Sequence, residues 1–167
     1  MIVPLLESTR LRLRQYRVGD LPHFAALNSD PDVREHVGGL LPTQRISQYL
    51  HDFAATTEPT DLRAWAIENS KNGEYIGHAW LLHQSRLYQP DVGVLISKNH
   101  WGSRFGPEPT AEIQRFAKRE LDSACVYASV DTDNLRSISM LHRAGFAYLA
   151  TEKDEEGSFY IFVGNEA

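Results

Sequence analysis

The chain has 167 residues, of which 42% are hydrophobic and 23% are charged, and its formal net charge is −5. This composition is typical of a globular protein, and the length predicts one domain over residues 1–167 that buries about two-thirds of its surface. No apolar run approaches the ~20 residues of a membrane span, no signal-peptide pattern is visible, and the lone cysteine excludes an internal disulfide, so we expect a cytoplasmic protein. The negative charge argues against nucleic-acid binding and mildly favours cationic substrates.

The first third of the chain is predicted to contain one strand and two helices. Residues Thr9–Tyr16 alternate leucine with arginine, which predicts a half-buried strand whose arginines form a solvated face. Asp20 is a suitable N-cap for a short helix that ends in the breaker cluster Asn28–Pro31. Thr43 is a suitable N-cap for a second, amphipathic helix.

Three strands are predicted next, at Arg63–Glu68, Tyr75–His83 and Asp91–Ser97. The first two flank a strong tight-turn signal at Lys71-Asn72-Gly73. A second turn is predicted at Gln84–Pro90. Gly77 lies inside a strand, where glycine often marks a bulge or a close approach of two backbones.

The segment Trp101–Phe116 begins with glycine and proline and then adopts helical spacing, so it predicts a loop that runs into a helix over about Pro107–Leu121. The first N–H groups of a helix lack partners, and the helix dipole is positive there, so such a junction suits phosphate. Pro107 fits the first helical turn, and Arg104 adds a cation. An ordinary loop before an ordinary helix is the alternative.

The last third of the chain alternates strands and a helix. Ala124–Val130 predicts a strand, residues 131–134 offer several caps for a helix that stops at Gly145, and the strands Phe146–Thr151 and Phe159–Val163 form a hairpin. No repeat or linker interrupts the pattern. The chain therefore predicts an α/β (α+β) domain of about seven strands and about four helices.

Five segments resemble the GCN5-related N-acetyltransferase (GNAT) superfamily and its RimJ/RimL-like branch. They occur in the family's order and span nearly the whole chain: Thr9–Arg14, Leu27–Pro31, Gly73–Gly77, Trp101-Gly102, and Asn134–Ser137 with Ala144-Gly145-Phe146. The resemblance implies a central, mostly antiparallel sheet that is splayed in its middle, with acetyl-CoA in the cleft. It implies these cofactor-binding residues: Val94, Leu95, Ile96, Trp101, Gly102, Ser103, Arg104, Phe105, Gly106, Asn134 and Ser137.

The loop departs from the family pattern at one position. Arg104 stands where the family has its central glycine, and Gly106 keeps the last small residue. A glycine there permits positive φ, which strains other residues. Either Arg104 tolerates this geometry and adds a charge-assisted contact to phosphate, or CoA binding is weakened. Pro107 replaces the family's threonine and removes one amide donor.

The resemblance also implies catalytic roles in direct attack of an amine on the thioester. Backbone N–H groups in the segment Val94–Ile96, with Leu95 at its centre, would hold the carbonyl and pantetheine. The tyrosine that many family members use as the acid is replaced by Leu141. In the RimL-like branch the resemblance implies a serine three residues after the asparagine as the acid, which is Ser137, while Asn134 would hold the pantetheine arm. The alternative is that Asn134 is only the cap of the helix and that Ser137 only forms a hydrogen bond in its first turn.

The general base is the least determined element. Asp91 is the first candidate, because relatives often carry a glutamate at this place; a surface carboxylate is the alternative. Glu68, His78 and His83 lie on neighbouring strands and could act through water. No metal site is expected, because the seven histidines and one cysteine show no ligand spacing.

These patterns predict an acetyl-CoA-dependent N-acetyltransferase that acts on a primary amine, either a protein N-terminal α-amine or a small-molecule amine. The alternative is a catalytically inactive CoA-binding or protein-interaction module with the same fold. Acetyl-CoA and the amine are the expected partners, without nucleic acid, membrane or metal, and a homodimer is left open.

Overall fold

One sheet organises residues 3–57, 60–83 and 88–164, the part of the chain that the computed structural model describes. Its eight strands in that part are β1 (Leu6–Glu7), β2 (Leu11–Arg14), β3 (Leu62–Asn69), β4 (Tyr75–Leu82), β5 (Asp91–Ile96), β6 (Val126–Asp131), β7 (Phe146–Lys153) and β8 (Ser158–Gly164). The strands lie in the spatial order β1-β2-β3-β4-β5-β6-β8-β7. All neighbouring pairs are antiparallel except β5 and β6, which are parallel.

Five α-helices flank this sheet in the described part of the chain: α1 (Leu21–Asn28), α2 (Pro31–Arg34), α3 (Thr43–Ala55), α4 (Pro107–Glu120) and α5 (Leu135–Arg143). Local chemistry sets several of their ends. The Asp30 side chain accepts the N–H groups of the first turn of α2, and proline begins α4. Helix α5 begins at the Asn134 cap and ends before Gly145, whose φ of 86° suits glycine.

A hydrophobic core lies on each face of the sheet. Helix α4 buries Ile113 and Phe116 against strand residues such as Trp65. Helices α1 and α3 bury Phe24 and Leu50 against the opposite face. Each side chain of this kind stabilises the fold by about 1.5–3 kcal/mol when it is fully buried. The first core spans the sheet from β1 to β8, whereas the second packs only against strands on the β5 side of the parallel pair.

The sheet opens between β5 and β6. These strands pair in register only at Asp91 and Tyr127, where the Tyr127 N–H donates to the Pro90 carbonyl over 2.9 Å. One step further, the Ser129 N–H donates to the Asp91 carboxylate over 3.2 Å. A side chain thus takes the place of the next carbonyl in the ladder, and beyond this point the strands diverge.

Two glycines allow the strands beside this opening to pack closely. A Cβ at Gly77 would lie 2.0 Å from the Leu95 carbonyl oxygen, and the β3–β4 register shifts one residue before it. A Cβ at Gly93 would lie 1.8 Å from the Trp80 ring. The prediction of a bulge or close approach at Gly77 is therefore confirmed.

The structure confirms the predicted fold class and adds two short elements. The mostly antiparallel sheet has eight strands rather than about seven in the described part of the chain, because β1 pairs over only two residues. The fifth helix is α2, a four-residue turn that starts inside the predicted breaker cluster. Neither element is long enough for a periodic pattern to reveal it.

Three local predictions are corrected. Thr43 is the first residue of α3, whose N-cap position is Pro42, so Thr43 does not cap it. Asp20 occupies the N-cap position of α1, but its carboxylate accepts from Arg14 and from the Arg17 N–H instead of capping. The arginines of β2 are not simply solvated, because Arg14 also pairs with Glu68. Residues 84–87 of the predicted turn lie outside the described residues.

Candidate active site

A cleft of about 290 Å³ occupies the place where β5 and β6 part. Because side chains alternate along a strand, the cleft has two sides. On the face of α4 and α5 lie Val94, Ile96 and the loop before α4. On the face of α1 to α3 lie Asp91, Leu95 and Trp80. The opening therefore connects the loop before α4, on one face of the sheet, with the Asp91 carboxylate and the Trp80 ring on the other face.

The loop Trp101–Gly106 forms one wall of the cleft and is tied to the end of β5. The Trp101 Nε1 donates to the Ile96 carbonyl over 2.8 Å. Two residues of the loop have left-handed backbone, Gly102 with φ of 85° and Arg104 with φ of 56°. The family's glycine at this position implies a positive φ, and Arg104 adopts a positive φ although it is not glycine.

The same loop leaves three consecutive amides without acceptors. Among the described residues, the N–H groups of Arg104, Phe105 and Gly106 donate to no hydrogen-bond acceptor. They precede Pro107, the first residue of α4, and the loop lines the cleft. Unpaired amides at the positive end of a 14-residue helix form a site suited to phosphate oxygens.

Cationic side chains stand beside these amides. Arg104 and Arg136 both line the cleft and are exposed. The Arg136 guanidinium lies 3.6 Å from the centre of the Trp101 ring, a cation–π contact that fixes it at the cleft. The wall therefore combines backbone donors with two positive charges, which suits a ligand with several phosphates.

Helix α5 brings two predicted residues into the cleft. The Asn134 Oδ1 accepts the Ser137 N–H over 3.2 Å, so Asn134 caps the helix. The cap uses only the oxygen of this amide, and its NH₂ group is still able to donate. Ser137 is half-buried and lines the cleft. Leu141, which also lines it, is buried and has no proton to give.

The backbone of β5 corrects one site prediction. Leu95 faces β4 with its backbone, since a Cβ on Gly77 of that strand would meet the Leu95 carbonyl oxygen. Alternation then turns the N–H groups of Val94 and Ile96 toward the opening. Leu95 contributes its side chain to the other face. The Leu95 N–H therefore points to β4 and not into the cleft, so the prediction of Leu95 as a backbone donor to the cleft is wrong. The amides of the residues on either side face the cleft instead.

Asp91 lies at the point where the sheet opens. Its carboxylate accepts from the Ser129 N–H over 3.2 Å and from the Ser129 Oγ over 3.4 Å. The surrounding protein removes much of its hydration, which raises its pKa to about 7, although the two Ser129 hydrogen bonds oppose this rise. Asp91 is therefore a half-buried carboxylate that lines the cleft.

Comparisons with known proteins identify the family. A family model described as an acetyltransferase (GNAT) domain matches residues 10–147. The chain belongs to the GNAT acetyltransferase family. The Uncharacterized N-acetyltransferase YoaA of Bacillus subtilis (strain 168) is 28% identical over 149 residues, which are 86% of this chain and 82% of that protein.

Two solved structures show the same fold. One is an acetyltransferase from Salmonella typhimurium that modifies the N-terminal serine of a ribosomal protein, with a TM-score of 0.82, 13% identity, and coverage of 98% of this chain and 100% of that one. The other is spermidine N-acetyltransferase from Vibrio cholerae in complex with CoA and spermine, with a TM-score of 0.78, 14% identity and coverage of 93% and 95%. The resemblance to the GNAT superfamily that the sequence predicted is confirmed, and the protein is an N-acetyltransferase.

None of the other three base candidates of this GNAT domain lines the cleft. Glu68 pairs with Arg12 and Arg14. His78 is buried, its Nδ1 lies 2.9 Å from the Tyr16 hydroxyl, and burial lowers its pKa to about 3, with the Arg34 charge as a smaller cause. His83 is exposed and does not line the cleft.

Sequence reasoning missed two features of the cleft. Trp80 lies across Gly93 and stacks on His78, with 5.6 Å between ring centres, so it forms a fixed aromatic surface beside Asp91. His36 follows α2, lines the cleft, and its Nδ1 lies 3.2 Å from the Asp131 carboxylate. A tryptophan directly opposite a glycine is a usable signal only once the strand register is known.

The fold also brings together groups that are distant in sequence. His36, Asp131 and Asp133 could each offer one ligand atom within 4.8 Å of the others, on a partly exposed surface. Spacing along the chain could not indicate this cluster, so the expected absence of a metal stays a prediction. No helix of the described chain is both long and apolar enough to cross a membrane.

Proposed function

We propose that the chain, as one domain over residues 1–167, transfers an acetyl group from acetyl-CoA directly to a primary amine. The observation that carries this proposal is the run of three unpaired amides at the end of a loop that lines the opening in the sheet. It supplies a phosphate site on one face, while a half-buried carboxyl lies on the other. The reaction needs both faces, because acetyl-CoA would occupy one and the attacking amine would approach its thioester from the other.

On the cofactor side, the amides of Arg104, Phe105 and Gly106 would hold the pyrophosphate. Each hydrogen bond to a charged oxygen contributes about 1.5–3 kcal/mol, so the amide that Pro107 lacks is a modest loss. Arg104 adds charge in compensation. The N–H groups of Val94 and Ile96 would hold pantetheine and the carbonyl that acetyl-CoA supplies, and the Asn134 NH₂ group would bind the arm.

On the acceptor side, Asp91 would receive the proton of the attacking amine. A base is most effective when its pKa lies near the working pH, and the surroundings of Asp91 raise its pKa to about 7. Trp80 would present its ring face to the ammonium form of the amine before the proton is removed. On the other face, the Ser137 hydroxyl would donate a proton to the departing sulfur.

The amine is the least specified partner. The N-terminal serine of a ribosomal protein and spermidine are named for proteins of the same fold, so both a protein α-amine and a small-molecule amine are proposed here. An α-amine has a pKa of about 7.7–8 and is partly neutral near pH 7, whereas a lysine-like amine at about 10.4 depends more strongly on Asp91. We further propose a cytoplasmic location, no nucleic-acid partner, and a homodimer as an oligomeric state to be tested.

The proposal is tested by calorimetric titration of the protein with acetyl-CoA, with ATP and NAD as controls. Selective binding of acetyl-CoA is expected, together with release of CoA when amines and N-terminal peptides are added. Binding without release for any amine would favour the catalytically inactive CoA-binding module. Absence of binding would reject both and favour an interaction module.

A further inference from the structure

Arg10 contacts the loop Trp101–Gly106 and does not itself line the cleft. It immediately precedes β2, and its carbonyl is fixed by the Ser70 N–H over 2.9 Å. Its Nη1 donates to the Ser103 carbonyl and its Nη2 to the Arg104 carbonyl, each over 3.0 Å. A planar guanidinium reaches two adjacent carbonyls at once, which a single ammonium cannot do with the same geometry.

Two further contacts of Arg10 bind the start of α4. Its Nε pairs with the Glu108 carboxylate, and its guanidinium lies 4.6 Å from the centre of the Phe105 ring. Glu108 also accepts from the Arg10 N–H over 3.1 Å and from the Ser8 Oγ over 2.7 Å. The loop and the first turn of the helix are thus held to the same residue.

These contacts determine which way the peptide groups of the loop point. The carbonyls of Ser103 and Arg104 are directed to Arg10, so the N–H groups of Arg104 and Phe105, which belong to the same two peptide units, point the opposite way. A flip of either peptide would place a carbonyl oxygen where a phosphate oxygen is to bind. A flip of the Ser103–Arg104 peptide would also change φ of Arg104 and relieve its left-handed backbone, so this flip is favourable unless something opposes it.

We propose that Arg10 is a positioning residue that holds the loop in its phosphate-binding conformation and so allows an arginine at the position of the family's glycine. The inference rests on the proposed binding of acetyl-CoA. Arg10 touches neither the cofactor nor the reacting atoms. Its role is to fix the amides of Arg104 and Phe105 before the ligand arrives, which lowers the cost of ordering them on binding.

The experiment compares Arg10→Ala and Arg10→Lys with Arg12→Ala as the matched control. Arg12 lies on β2 just beyond Arg10, has similar exposure and also forms ion pairs, but it pairs with Glu7 and Glu68 rather than the loop. The first measurement, made on the ligand-free protein, is the backbone ¹⁵N order parameter of residues 103–106. The second is acetyl-CoA affinity, together with the Michaelis constant and kcat.

Arg10→Ala is expected to lower the order parameters of the loop from about 0.85 toward about 0.6. It should weaken acetyl-CoA binding about tenfold, the loss expected for one charge-assisted hydrogen bond. At saturating acetyl-CoA, kcat should be unchanged. Arg10→Lys should restore part of the affinity, and Arg12→Ala should leave the order parameters and the affinity as in the wild type.

Unchanged order parameters in Arg10→Ala would overturn the proposal, whatever its effect on stability. An equal loss of affinity in Arg12→Ala would also overturn it, because a general effect of lost ion pairs would then explain the result. If Arg10→Ala does not fold, the comparison is made with Arg10→Lys. Failure of the wild type to bind acetyl-CoA would reject the proposed function, and the order parameters alone would then decide whether Arg10 holds the loop.

Discussion

Replacement of Asp91 by asparagine should change how the stability of the protein depends on pH. The carboxyl has a pKa of about 7 in the folded protein against its ordinary 3.8. Between these values the unfolded chain releases the proton while the folded protein retains it, so stability falls as pH rises through this window. The two pKa values set an upper limit of about 4 kcal/mol for the loss, which is complete above pH 7.

The assay is urea denaturation of wild type and Asp91→Asn at several pH values from 4 to 8. An asparagine keeps the oxygen that accepts both Ser129 hydrogen bonds but has no proton to release. The advantage of Asp91→Asn over wild type should therefore grow from pH 4 to pH 7 and then level off. Asp61→Asn, at an exposed position, is the control and should run parallel to wild type. Parallel curves for Asp91→Asn as well would refute the raised pKa.

The same variant tests the proposed base. Wild-type kcat/KM for a lysine-like amine should rise through pH 7 as Asp91 loses its proton, and Asp91→Asn should lose about 10²–10⁴-fold in turnover. A variant that is more stable at pH 8 and yet much slower would separate catalysis from folding. Full activity in Asp91→Asn would show that Asp91 is not the general base. Its role would then be only to accept the Ser129 N–H where β5 and β6 separate.

Substitutions at four further positions test other parts of the cleft. Asn134→Ala should raise the Michaelis constant for acetyl-CoA, whereas Asn134→Asp keeps the helix cap but not the NH₂ group, so equal affinity in wild type and Asn134→Asp would reject a contact from that group. Ser137→Ala should lower kcat at least tenfold with little change in stability, and full turnover would exclude Ser137 as the acid. Gly93→Ala places a Cβ 1.8 Å from the Trp80 ring and should cost about 1–3 kcal/mol of stability. Adding Trp80→Ala to Gly93→Ala should recover part of that loss, and a lack of recovery would show that the clash is not with Trp80.

Sequence patterns were sufficient where a local signal decides the structure. Pro107 at the start of α4 and Gly145 after the end of α5 follow from residue chemistry alone, and both are confirmed. Residues 131–134 offered several caps for α5, and the structure uses Asn134. The opening between β5 and β6 came from the resemblance to GNAT proteins, because no periodicity within one strand shows how it pairs with a distant one.

Features that depend on contacts across the sheet could not be predicted. The role of Asp91 as an acceptor for the Ser129 N–H requires the register of two strands, because the two residues are 38 positions apart in the chain. Arg10 was expected on a solvated face because alternation assigns a side but does not show what lies there. Leu95 was assigned one residue away from the cleft-facing amides for a similar reason, since the direction of an N–H follows from pairing with β4.

The measurement that tests the central claim most directly is transfer of an isotopically labelled acetyl group. Labelled acetyl-CoA is incubated with the protein and a panel of peptides and small amines, and each amine is analysed by mass spectrometry. The account predicts that the label appears on the nitrogen of at least one primary amine, with equal release of CoA, and that Asp91→Asn slows its appearance. Tight binding of acetyl-CoA with no labelled amine above the protein-free background would contradict it.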